Sequence, residues 1–77
     1  MVSIDVIFCR RMLSETHALV KIAFPDVKLK DAWVWHSGRI WEFHGPDGFY
    51  WHGRADNAYD ARVRGWNAWL SHKGMPQ

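Results

Sequence analysis

The sequence predicts an α+β domain, a two-layer sandwich in which a three-stranded antiparallel meander carries helices on one face. The order is α-β-β-β-α, with an extra N-terminal strand as an addition. Three observations predict it. Apolar and polar residues alternate through Ala32–Gly53, a segment holding Trp33, Trp35, Trp41 and Trp51 of the six Trp and His36, His44 and His52 of the five His. Two turn signals, Ser37-Gly38-Arg39 and Gly45-Pro46-Asp47-Gly48, cut that segment into three runs. Stretches with helical spacing flank it on both sides.

Taken in order, Val2, Ile4, Val6 and Phe8 alternate with Ser3, Asp5 and Ile7, which favours a strand over residues 2–8. A helix over the same residues remains an alternative, because Ile4, Ile7 and Phe8 also share a helical face. Ser14 suits a helix N-cap and Glu15 complements the dipole of the first turn. Ala18, Leu19, Ile22 and Ala23 then follow helical spacing. Pro25 disfavours helical backbone at the residue before it, so this helix ends near Phe24. Residues 25–30 form a connector.

Strands are predicted at about 32–36, 39–44 and 49–53. Pro46 fits the first central position of a type I turn, and Gly48 accepts the left-handed conformation that closes it. Side chains alternate across a strand, so parity assigns the faces. Trp33, Trp35, Trp41, Phe43, Phe49 and Trp51 are odd, while Val34, His36, Ile40, Glu42, His44, Tyr50 and His52 are even. Three-residue loops place Trp35 opposite Trp41, Trp33 opposite Phe43, and Phe43 opposite Trp51. One face is then wholly aromatic and buried under the helices. The other is mixed and exposed, with Glu42 opposite His52 and His44 opposite Tyr50. A two-residue turn at Ser37-Gly38 is the rival, and it puts Val34 opposite Trp41.

The last helix runs from about Ala55 to His72, capped by Asp56. Ala55, Tyr59, Arg62, Trp66, Trp69 and Leu70 trace its apolar stripe, and Ala58 lies beside it. Asp56, Asn57, Asp60, Arg64 and Asn67 fall outward. Gly65 is unfavourable inside a helix by about 1 kcal/mol, which points to a close approach by the indoles of the sheet. Gly74 and Pro76 give the stop.

Composition bounds the rest. The 77 residues make one domain, 1–77. A chain this short buries only about 60% of the surface it exposes when unfolded, so its margin of stability is thin. Six Trp, four Phe and two Tyr supply apolar area to offset that. The single Cys excludes an internal disulfide and a Cys-rich zinc cluster. Cys9 precedes Arg10 and Arg11, which would favour its thiolate, although a buried, inert thiol is the commoner case. Met1–Asp5 lacks the basic start of a signal peptide and no run reaches the ~20 apolar residues of a membrane span. A soluble, cytoplasmic protein is expected. The net charge of +2 is mild and the ten Lys and Arg are scattered.

Four kinds of chemistry bear on what the chain does. Glu42, His44 and His52 are weak candidates for a metal site, since residues two apart on a strand lie about 6.5–7 Å apart and no helical His pair or Cys supports them. His44 with Tyr50, or Glu42 with His52, would suit acid–base work, but no nucleophile or cleft accompanies them. Neither catalysis nor a cofactor is expected. The topology resembles the double-stranded RNA-binding domain, whose last helix opens with a Gly-rich turn and a lysine run. The matching place here is Gly53-Arg54-Ala55-Asp56-Asn57-Ala58-Tyr59-Asp60, with Asp where the family has Lys. A meander plus helix also resembles the AP2-type and integrase N-terminal DNA-binding domains, and Ala58-Tyr59-Asp60-Ala61 is similar to the AP2 helix. These resemblances imply nucleic-acid binding through Arg39, Arg54, Arg62 and Arg64. The leading expectation is a non-catalytic protein, monomer or dimer, that docks a protein partner as a regulator, inhibitor or adaptor of the phage type. Its binding residues would be His36, Ile40, Glu42, His44, Tyr50 and His52, apolar anchors amid polar groups. The exposed imidazoles would make such binding sensitive to pH.

Overall fold

The computed structural model describes residues 15–74. The expected strand over residues 2–8, the Ser14 cap, Cys9 and Pro76 lie outside them. Among the described residues, 15–23 are helical (α1), followed by β1 (Trp33–Ser37), β2 (Ile40–His44), β3 (Tyr50–Arg54) and α2 (Ala58–His72). A short 3-10 piece at Leu29–Asp31 interrupts the connector. The sheet is an antiparallel meander in the order β1-β2-β3. Each strand begins one residue later than the alternation suggested.

Helix α1 ends where Pro25 requires: the Phe24 N–H reaches the Val20 carbonyl at 2.7 Å, and the Lys21 ammonium closes the end by donating to the carbonyls of Pro25 (3.1 Å) and Val27 (2.8 Å). Its buried residues are Thr16 and Val20, four apart, while Ala18 and Ile22 are exposed. The expected apolar face of Ala18, Leu19, Ile22 and Ala23 is therefore rotated.

Helix α2 starts later than expected, and Asn57, not Asp56, caps it. The Asn57 side chain accepts the Asp60 N–H at 2.9 Å, and the Asp60 carboxylate reaches back to the Asp56 N–H at 3.0 Å. This reciprocal pattern satisfies donors that a helix start leaves unpaired. Asp60 also takes the Arg64 Nε–H at 3.0 Å. These three bonds allow Asp60 to be buried, which corrects its outward placement. The buried face of α2 comprises Asp60, Ala61, Val63, Gly65, Trp66, Trp69 and Leu70. Trp66, Trp69 and Leu70 were expected there; Tyr59 and Arg62 are only half-buried.

The core joins Val20, Phe43, Val63, Trp66, Trp69 and Leu70, with Phe24, Val34, Phe49 and Trp51 packed against it. Phe43, on the central strand, is fully buried and meets Trp66 edge-on at 5.2 Å, while Phe24 meets Trp69 at 4.8 Å. The glycine at 65 has a steric cause. A Cβ there would lie 2.1 Å from Phe43 Cγ, so the ring of Phe43 occupies the space a side chain would need. The approaching group is a phenyl rather than an indole.

Candidate functional site

The site is set by one turn. In the first hairpin Ser37 pairs with Ile40, leaving Gly38 and Arg39 as a two-residue loop. Gly38 has φ 61°, and glycine at the first central position is what a type II′ hairpin turn needs. The register that follows is His36 opposite Trp41, Trp35 opposite Glu42, Val34 opposite Phe43 and Trp33 opposite His44. Neither the three-residue loop nor the rival at Ser37-Gly38 describes it. Relative to the expectation, every side chain of β1 changes face.

The second hairpin keeps the expected pairs: Phe43 with Trp51, Glu42 with His52, His44 with Tyr50. Its turn differs in type. The Phe49 N–H bonds the Pro46 carbonyl at 3.0 Å, and the two residues between, Asp47 (φ 57°) and Gly48 (φ 77°), are both left-handed. Asp-Gly thus occupies the centre of an I′-like turn, with Pro46 before it.

The faces follow from these two registers. The inner face, toward α2, carries Val34, His36, Trp41, Phe43 and Trp51. The outer face carries three rows: Ser37–Ile40–Arg54, Trp35–Glu42–His52 and Trp33–His44–Tyr50. Of the six residues expected to bind a partner, Ile40, Glu42, His44, Tyr50 and His52 share this outer face. His36 does not: it stacks on Trp41 at 4.4 Å on the other side, and its Nδ1 lies 3.2 Å from the Gly38 carbonyl oxygen. Val34, expected outside, packs against the core. Trp33 and Trp35, expected inside, are each 52% exposed. They are the residues that sequence reasoning missed.

The outer face is therefore more apolar than parity suggested. Trp33, Trp35, Ile40 (44% exposed) and Tyr50 (49%) all stand in solvent there. The Trp33 indole lies flat on the His44 ring, with centroids 3.9 Å apart and planes 3° from parallel. The Tyr50 ring meets His44 edge-on at 5.2 Å and lies tilted to His52 at 5.6 Å. At the centre of the nine positions is Glu42, the one carboxylate among them, held 3.0 Å from His44 Nε2 through its Oε1. Partial desolvation, and then the negative charge of Glu42, push the Tyr50 hydroxyl above the ordinary phenol range.

The other expected sites are not gathered. Among the described residues no group of three or more His, Cys, Asp and Glu is placed to hold a metal ion, so Glu42, His44 and His52 do not form a ligand set. The four arginines expected to meet phosphate are divided between layers. Arg39 is in the first turn and Arg54 ends β3 on the outer face. Arg62 and Arg64 belong to α2, where Arg62 lines an open cleft with His17, Lys30 and Trp66 and Arg64 is paired with Asp60. No helix among the described residues is long and apolar enough to cross a membrane. No family model matches the chain, and neither a curated protein nor a solved structure is significantly similar to it.

Proposed function

We propose that this chain is a non-catalytic binding protein that docks a protein partner on the outer face of its sheet. The observation that carries the reading is the register of the first hairpin, which leaves the Trp33 and Trp35 indoles half in solvent beside Ile40 and Tyr50. Scattered exposed apolar residues need no explanation, but four large ones on one small sheet are a patch. Trp and Tyr dominate binding energy at interfaces because they bury large area at little entropic cost. The His, Glu and Arg between them provide a polar surround. Nucleic acid is the weaker reading, since phosphate contacts need clustered cations and a carboxylate sits at the middle of this face.

The test is capture from a lysate of the source cells on the immobilised chain, with and without nuclease. A specific protein should be retained after nuclease treatment. Trp35→Ala and Tyr50→Ala should each lose it while keeping the circular dichroism and thermal midpoint of the wild type. Retention that vanishes with nuclease, or a partner that ignores both substitutions, contradicts the reading.

A further inference from the structure

We propose that the partner seats an arginine side chain on the outer face, its guanidinium stacked on the Trp35 indole and bonded to the Glu42 carboxylate. The inference rests on the docking reading and supplies the chemistry of what docks. Trp35 and Glu42 are directly opposed across β1 and β2. Opposed side chains on one face start about 4.5–5.5 Å apart at Cβ, within the span of one planar cation.

The two residues are available in different ways. Trp33 is already covered on one ring face by His44. Trp35 is half exposed and has no ring contact among the described residues. Among the nine described strand positions of this face Glu42 is the single anion, the other eight being aromatic, aliphatic, hydroxyl, imidazole or guanidinium. A carboxylate has about four lone-pair sites; His44 takes one and the Tyr50 hydroxyl also bonds to Glu42, which leaves room for an incoming guanidinium. Arg54, on the opposite edge strand of this face, makes no ion pair among the described residues, and among them no Lys or Arg neutralises Glu42.

Arginine fits this pair better than lysine. Its planar fork bonds a carboxylate twice and stacks on an aromatic ring at the same time, and it is less strongly hydrated than an ammonium. Among aromatic rings, indole is also the best partner for a cation. The same central charge argues against a symmetric face-to-face pair of chains: a twofold axis through the middle of the face would set Glu42 against Glu42.

The test follows the indole N–H resonances of the full chain while acetyl-hexa-arginine-amide, the matching hexalysine peptide, or oligodeoxythymidine is added. The expected result is a saturable shift of the Trp35 signal with hexa-arginine, at least tenfold weaker with hexalysine. Glu42→Gln, a surface substitution that should leave the circular dichroism unchanged, should weaken the arginine response about tenfold. An arginine response unaffected by Glu42→Gln overturns the proposal, as does a shift produced by the oligonucleotide alone. If no peptide binds while Trp35→Ala still abolishes protein capture, the arginine anchor is wrong and the docking face stands. If hexa-arginine binds as described but the capture experiment fails, the anchor stands without the protein-partner reading.

Discussion

At the scale of single residues, two positions have consequences that can be measured. Gly65→Ala adds a good helix former in mid-helix, which alone would stabilise by about 1 kcal/mol. The added methyl, however, would sit 2.1 Å from Phe43 Cγ on a fully buried ring. Overpacking of that kind costs about 1–3 kcal/mol or more, so the net effect should be destabilising. A urea titration decides the sign, and a raised midpoint would show that Phe43 does not press on α2. His17 is half-buried edge-on to Trp66 at 6.1 Å, and burial first, then the nearby Arg62 charge, hold its pKa below the ordinary value. The unfolded chain therefore takes up the proton at a higher pH than the folded one. The contribution to stability is complete above about pH 6.5 and is lost as pH falls through the lowered folded-state value. The urea midpoint should drop between about pH 7 and pH 5, and His17→Gln should flatten that drop. A wild-type slope unchanged by the substitution would assign the effect to other groups.

At the scale of elements, the sequence was legible where local chemistry has one answer. Pro25 stops α1, the Asp47-Gly48 turn fixes the second hairpin, and the three runs of alternation are the three strands. The stripe of α2 was found at Trp66, Trp69 and Leu70 but drawn too far toward Tyr59 and Arg62. The missing signal was Asp60. A charged residue reads as outward, yet the capping bonds of Asn57 and Asp56, together with Arg64, satisfy it and let it turn inward. The first hairpin was misread for a different reason. Ser37-Gly38-Arg39 is compatible with several loop lengths, and pairing the largest apolar residues inward chose among them wrongly. Glycine as the first of two loop residues was the usable clue, since its positive φ suits that position and few other residues tolerate it. Packing agrees with the observed register. Helix α2 lies too close to Phe43 to admit a methyl at position 65, and the small Val34 beside Phe43 suits that spacing where an indole would not.

At the scale of the whole molecule, the two registers decide what faces water. The second hairpin puts Phe43 and Trp51 under the helices, and the first sends Trp33 and Trp35 the other way. The result is a small domain whose core is closed by Phe43, Trp66, Trp69 and Leu70, and whose opposite surface keeps two indoles, a phenol and one central carboxylate. The docking reading and the arginine anchor both depend on that division. Cross-strand nuclear Overhauser contacts test it most directly. The expected ring contacts run from Trp33 to His44 and from His36 to Trp41, with Val34 methyls against Phe43. Contacts from Trp35 to Trp41 and from Trp33 to Phe43 would place the indoles inside and contradict it.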